Sequence, residues 1–359
     1  MRVRSTVGIT ILVLVGGLLV AACAPAAPTA ATTPIPTAPA RAAAATPTGA
    51  SKPNPTPAPP TPTPKPDKVV LALPSAGGIS DLPNIVALRK GFWQEEGFDV
   101  DKQVVRSEVA VKGVIGGEIE YTTSLTSALR AATQGLGIKG VLVTESRPNF
   151  FLVARPDIRT IQELKGKAIG INGVQTLSHV VLQDMLKHFG MDPEKDVIPT
   201  ALPESSTRLK SLQGGAVQAA MLDVVFAVEA ESQGMRILAR AGELFERIQG
   251  GLATSDKLIK EKPEMVQRFV RATVKAMKYT QDPRNRDEII QLMAEQINLP
   301  KANATKAYDL HMKNFSTDGD VSEALVKLEI DDAKVASQIT KDVPVSQVFD
   351  YTFVRKLKQ

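Results

Sequence analysis

This 359-residue chain has one cysteine, three histidines and an aromatic content of only 4%. A single thiol, Cys23, forms no intrachain disulfide and builds no cysteine-based zinc or iron–sulfur cage. The histidines (His179, His188 and His311) have no metal-ligand spacing. His179 and His188, nine positions apart in a helical pattern, fall about 180° apart around the helix axis. They read as ordinary surface or boundary residues, and no metal or cofactor is expected. Charge of one sign is also lacking from most of the chain. The formal net charge is +5, but residues 1–67 hold five of the 43 basic groups and one of the 38 acidic groups, which leaves 38 against 37 in 68–359. A nucleic-acid footprint needs clustered positive charge on a folded domain, so that class of partner is excluded. With 43% hydrophobic residues and no sustained repeat, fibrous and wholly disordered classes are excluded too. The length suffices for two core-bearing domains.

What is there begins with a processing signal. Residues 1–22 carry Arg2 and Arg4, an apolar run from Val7 to Val20, and small residues before Cys23, the layout of a secretory leader. The run is too short for an ordinary membrane-spanning helix. Val20-Ala21-Ala22-Cys23 resembles the lipobox of bacterial lipoproteins. That resemblance implies cleavage before Cys23 and a diacylglycerol on its thiol, hence an extracytoplasmic lipoprotein held on a membrane surface. A plain secretion signal with an incidental cysteine is the alternative. Residues 24–67 hold 14 Pro, 13 Ala and 9 Thr in 44 positions. This composition forms no core and favours polyproline II, so Cys23 and residues 24–67 read as an anchor plus a tether reaching up to about 100 Å.

From Lys68 onward strands and helices alternate. Val69–Leu73 is a short β run stopped by Pro74 and the turn-forming Ser75-Ala76-Gly77-Gly78. A helix over Ile85–Lys90, strands near 100–105, 119–122 and 140–144, and helices near 109–115 and 124–134 follow. The pattern restarts with strands at 168–171, 197–201, 219–222 and 236–239 and helices at 177–189, 207–213 and 226–233. Beyond about Ser255 the chain reads as almost all helical. Gly116-Gly117-Glu118-Ile119-Glu120-Tyr121 and Gly214-Gly215-Ala216-Val217-Gln218-Ala219 each close a helix with a glycine pair and open a strand, 98 positions apart. Strand–helix alternation argues for parallel βαβ units with helices on both sheet faces. The expected organisation is one lobe from 68–148 and 245–359 and a second from 155–240, with connections near 149–155 and 241–254 acting as hinge strands.

Three segments carry a family resemblance. Ala87-Leu88-Arg89-Lys90-Gly91-Phe92-Trp93-Gln94-Glu95-Glu96-Gly97-Phe98-Asp99-Val100, Ile161-Gln162-Glu163-Leu164-Lys165-Gly166-Lys167-Ala168-Ile169-Gly170 and Ser211-Leu212-Gln213-Gly214-Gly215-Ala216-Val217-Gln218-Ala219-Ala220 resemble, in order, elements of ABC-transporter substrate-binding proteins of the nitrate, sulfonate, taurine and pyrimidine-precursor type. Gln218 stands where that family usually has Asp. The resemblance covers about 69–255. It implies an α/β, type II periplasmic binding protein fold: two lobes with central mixed sheets joined by two hinge crossovers, a helical C-terminal region, and a ligand between the lobes. The motifs themselves build scaffold; Trp93 reads as core rather than as a ligand-stacking ring.

Ligand chemistry belongs at strand C-terminal ends, where helices begin and backbone N–H groups are available. Four loops qualify: Ser75, Gly77 and Gly78; Thr123 and Ser124; Asn172, Gly173 and Thr176; and Asp223. Ser124 and Asp223 also read as plain helix N-caps and Gly77-Gly78 as a plain turn. Glu204-Ser205-Ser206 is a weaker candidate. Arg147, beside the first crossover, would suit an anion if not simply a surface arginine. Tyr121 and Phe150 leave ring stacking open. The leading functional reading is a monomeric, lipid-anchored solute-binding protein that delivers a sulfonate, a carboxylate or a pyrimidine precursor to an ABC permease. A sensing module for a membrane receptor is the alternative. An enzyme is disfavoured, because no Ser-His-Asp or paired acid/base arrangement can be assembled.

Overall fold

A computed structural model describes residues 65–74 and 78–359. The expected leader, Cys23, the tether as far as residue 64, and the candidates Ser75 and Gly77 lie outside the described residues. The first run of elements is β1 (Asp67–Leu73), α1 (Leu82–Arg89), α2 (Phe92–Glu95), β2 (Phe98–Val104), α3 (Ser107–Gly116), β3 (Tyr121–Thr122), α4 (Leu125–Thr133) and β4 (Ile138–Glu145). Next come β5 (Phe151–Ala154), β6 (Lys167–Ile171), α5 (Leu177–His188), β7 (Val197–Ala201), α6 (Ser205–Gln213), β8 (Ala219–Leu222), α7 (Val224–Ser232), β9 (Arg236–Arg240), α8 (Ala241–Leu244) and β10 (Gly250–Ser255). The remainder is helical: α9 (Asp256–Glu261), α10 (Pro263–Gln281), α11 (Arg286–Ile297), α12 (Lys301–His311), α13 (Glu323–Ser337), α14 (Val345–Val348) and α15 (Thr352–Arg355).

Two five-stranded sheets result, ordered β2-β1-β3-β10-β4 and β7-β6-β8-β5-β9. β1 runs parallel to β2 and β3, and β6 runs parallel to β7 and β8. β10 is antiparallel to β3 and β4, and β5 is antiparallel to β8 and β9. The exceptions have one cause. Each is the first strand after a crossover, so it starts where the other sheet's strands finish and must run away from that seam. The C-terminal ends of β1–β4 and of β6–β9 therefore all point at the same seam, where loops from both sheets meet.

The sequence predicts hinge strands near 149–155 and 241–254; the structure draws Phe151–Ala154 and Gly250–Ser255 into the sheets themselves as β5 and β10. All four residues of β5 are buried. A strand buried on both faces loses the alternation by which strands are read from sequence.

The helical region closes the first sheet. In α10, Met265, Phe269, Val270, Thr273 and Met277 are buried at helical spacing. Phe269 stacks against Trp93 on one side (centroids 5.3 Å, 9° between planes) and Tyr121 on the other (4.1 Å, 6°). Trp93 is fully buried and its indole N–H donates to Thr273 Oγ1 at 3.3 Å, so this ring is core, as its motif suggested. Among the described residues no helix is long and apolar enough to cross a membrane.

Candidate functional site

At the seam end of the first sheet, the β3–α4 loop is stitched to its neighbours. Thr122 Oγ1 donates to the Ala72 carbonyl at 3.1 Å and accepts the Ser124 N–H at 3.1 Å, while the Thr123 N–H donates to Ala72 O at 3.0 Å. Ser124 does not cap α4. Its hydroxyl donates to Ser107 Oγ at 3.1 Å, on the first residue of α3. Gly78 is half-buried and extended, and its carbonyl accepts from Asp81 at 2.9 Å to open a short 3-10 turn over Ile79–Asp81. Behind it stands a polar cluster that sequence reasoning missed. Asn84 Nδ2 donates to Asp81 Oδ1 at 2.8 Å, and Lys102 Nζ lies 3.5 Å from Asp81 Oδ2. Burial pushes the Asp81 carboxyl above its usual range, with Lys102 pulling the other way. Asn84 Oδ1 is buried with no partner.

At the seam end of the second sheet, the Asn172 N–H donates to Ser178 Oγ at 2.9 Å. The Thr176 hydroxyl donates to the Gly173 carbonyl at 2.7 Å and lies 3.0 Å from Ser178 Oγ. Gln175 takes a left-handed conformation (φ 61°) and donates its N–H to His179 Nδ1 at 3.2 Å, which bends the loop back onto α5. Asn172 Oδ1 is buried without a partner. Asp223 is the N-cap of α7, accepting from the N–H groups of Val225 (3.2 Å) and Phe226 (3.4 Å). The remaining N–H of that first turn, on Val224, goes to Asn149 Oδ1 from the first crossover at 3.3 Å. Arg208 is fully buried beside this point and donates to the carbonyls of Met221 (2.6 Å), Leu202 (2.8 Å) and Pro203 (2.8 Å) and to Ser205 Oγ. Burial pulls its guanidinium below the ordinary arginine range, and Asp223 and Glu204 oppose that. The only sequence signal for Arg208 was its place four residues before Leu212 on the inner face of α6.

The starts of α4 and α5 face each other across the seam, where a gap of about 50 Å³ is lined by Thr126 and Arg130 of the first and Leu177 and Val180 of the second, with Glu329 and Asp332 of α13. A separate cavity of about 510 Å³ lies at the crossovers, where Arg147, Phe151, Arg240 and Phe315 line it; none of the seven described candidate residues does. Arg147 is committed there, donating to the Gly242 carbonyl and to Glu246 Oε1, each at 3.0 Å. Glu204 is exposed and caps nothing with its side chain. Tyr121 is fully buried under Phe269 and Phe150 packs in the core of the second sheet, so neither ring is open to stack on a ligand.

The family described as NMT1/THI5 like matches residues 80–285. The chain is 29% identical over 218 residues to the riboflavin-binding protein RibY of Chloroflexus aurantiacus; the match covers 58% of this chain and spans 61% of that protein's length. Among solved structures it is similar to the periplasmic aliphatic sulphonate binding protein SsuA from Escherichia coli (TM-score 0.66, 16% identity, 81% of this chain and 94% of that one). It is also similar to the alkanesulfonate-binding protein SsuA from Xanthomonas axonopodis pv. citri bound to MOPS (TM-score 0.63, 18% identity, 80% and 99%). At such identities these likenesses carry the fold, which is the two-sheet α/β periplasmic binding protein fold that the three motifs implied. With its described architecture and more than half its length matched, the chain belongs to the NMT1/THI5-like family.

Proposed function

We propose that this protein is an extracytoplasmic solute-binding protein, anchored by a lipid on Cys23, that captures a small organic ligand between the two sheets and hands it to an ABC permease. The observation that carries the reading is the seam itself. Strand ends from both sheets face it; we assign 68–148 with 245–359 to one lobe and 155–240 to the other, joined by two crossovers that would let them close on a ligand. In this reading Gly78, Thr123, Ser124, Asn172, Gly173, Thr176 and Asp223 supply its walls, together with Ser75 and Gly77, which lie outside the described residues. Of the histidines, His179 accepts from Gln175, His188 packs edge-on against Phe189 and Phe245, and His311 is buried with its Nε2 3.1 Å from Glu145 Oε1 and its Nδ1 without a partner.

Polarity narrows the ligand. The first-turn amides of α7 are taken by Asp223 and Asn149, and Arg208 is taken up by carbonyls, so this wall offers an anion little. Near it, two buried acceptors have no partner, Asn172 Oδ1 and, behind Gly78, Asn84 Oδ1. Acceptors call for a ligand with N–H or O–H donors, which favours a neutral heterocycle over a sulfonate or carboxylate. Isothermal titration against riboflavin, an aminopyrimidine, taurine and a short carboxylate tests this, with a heterocycle expected to bind best. Saturable binding of taurine alone would overturn the polarity argument, and binding of none would overturn ligand capture. Replacing Cys23 with Ser should move the protein from the membrane to the soluble fraction; retention on membranes would refute the anchor.

A further inference from the structure

The second crossover carries a buried arginine that touches both halves of the molecule. Arg247 is 6% exposed. Its Nε and Nη2 lie 2.9 and 2.8 Å from Asp184 Oδ2 on α5, a helix packed into the core of the second sheet. Its Nη1 lies 2.5 Å from Asp332 Oδ2 and 3.9 Å from Glu329 Oε1, both on α13, which packs through Val326 and Ile330 against α4 and the first sheet. Its backbone N–H donates to Ser146 O of the first crossover at 3.0 Å. One residue thus ties α5 and α13 through its guanidinium and the two crossovers through its backbone N–H.

Three carboxylates share this one cation, and they are not equivalent. Asp184 and Asp332 are partly hydrated, whereas the Glu329 side chain is only 11% exposed; its Oε1 has no hydrogen-bond partner, and its carboxyl accepts from the Ile248 N–H. The charged groups around Glu329 are Arg247 from the crossover, Arg130 from α4, Asp332 on its own helix, and Asp184 of α5 on the far side of Arg247.

We propose that Arg247 is an interlobe clasp and that a proton on Glu329 sets its strength: protonated, the lobes stay together; ionised, they separate. The physical reason is solvation. A neutral Glu329 leaves Arg247 to Asp184 and Asp332, while an ionised one is a third buried anion that gains water only when the α5–α13 contact opens. Burial is the largest influence on Glu329, opposed by Arg247, and brings its pKa up to about 7. The consequence for function is a lobe equilibrium, and through it ligand retention, that shifts toward the open form as pH rises. This rests on the reading that the lobes move, but its readout needs no ligand, so it fails or stands separately from ligand capture.

The test is a distance measurement on the ligand-free full chain. Spin labels are placed at Val109→Cys on α3 and Val174→Cys after β6, two exposed positions on opposite sides of the seam, in a Cys23→Ser background so that no other thiol is present. The label-to-label distance is expected to lengthen as pH rises from 5.5 to 8.5, with a midpoint near 7. Glu329→Gln should hold the short distance throughout that range. Arg247→Lys, which keeps the charge but loses the forked contact to two carboxylates, should lengthen the distance at pH 5.5. A midpoint that survives Glu329→Gln overturns the proposal, as does a wild-type distance that ignores pH. A Glu329→Gln protein that stays folded yet open at every pH overturns it as well.

Discussion

Asn149 and Val224 join the first crossover to a helix of the second sheet: the buried Asn149 Oδ1 accepts the Val224 N–H at 3.3 Å, while Asp223 takes the next two amides of the same turn. The start of α7 is therefore satisfied from two directions. Asp223→Ala should lower the unfolding free energy by about 1 kcal/mol as a lost cap, and Asp223→Asn should restore most of it. Asn149→Ala should cost about 1–3 kcal/mol, because it strands a buried donor. The two losses should couple in a double-mutant cycle, since they act on one helix end. Strictly additive losses in urea unfolding would show that the two caps work independently.

Ser124 presents the opposite case. Its hydroxyl caps nothing and reaches Ser107 instead, so Ser124→Ala should leave ligand-free stability nearly unchanged. If the hydroxyl faces the ligand as proposed, affinity should fall by about one neutral hydrogen bond, ~0.5–1.5 kcal/mol, or roughly threefold to tenfold. Titration calorimetry and thermal melts on the same variant separate the two. A drop in melting temperature with unchanged affinity would remove Ser124 from the site.

Much of this was legible before any coordinates. The alternation of β-rich and helical runs gave both sheets' parallel strands, and glycine pairs such as Gly116-Gly117 and Gly214-Gly215 marked helix ends, with Gly117 and Gly215 at positive φ as a left-handed close requires. β5 and β10 were not legible, because the fully buried Phe151–Ala154 shows no period and Gly250-Gly251 reads as a turn. The register shift beside Gly251 explains the glycine: a Cβ there would run into the Leu142 carbonyl oxygen. At the site, the loops followed from strand ends, but Arg208, Asn84 and Asp81 did not. Their roles depend on which long-range neighbours absorb their hydrogen bonds, and spacing along the chain carries no such information. Asp223 illustrates the same limit, since cap and ligand contact leave one sequence signature.

The stacked rings give a test of packing against polarity. Phe269→Ala removes the ring between Trp93 and Tyr121 and should cost about 3–5 kcal/mol. The Tyr121 hydroxyl is buried with no partner, and burial drives its pKa far up. Tyr121→Phe should therefore be neutral or stabilising, because it deletes a stranded polar atom and keeps the ring. Chemical unfolding followed by Trp93 fluorescence measures both. A loss above about 1 kcal/mol in Tyr121→Phe would mean that the hydroxyl is satisfied, for instance by a buried water.

Glu329 predicts how stability depends on pH, apart from any lobe motion. Burial raises its carboxyl from an ordinary 4.5 to about 7 in the folded protein, so between those values the folded chain holds a proton that the unfolded chain has released. Stability rises with pH only where the unfolded state binds more protons, and here it binds fewer. The contribution of the protonated group is therefore fully present below about pH 4.5 and is lost as pH rises through 7. Glutamine at this position mimics the protonated form and cannot ionise. The unfolding free energy of Glu329→Gln minus that of the wild type should accordingly grow between pH 5 and pH 8, while every other titrating group cancels in the difference. Urea unfolding at pH 5, 6, 7 and 8 measures the difference directly. Parallel curves for wild type and Glu329→Gln would show that the carboxyl is solvated and that its position between α13 and Arg247 carries no proton-linked energy.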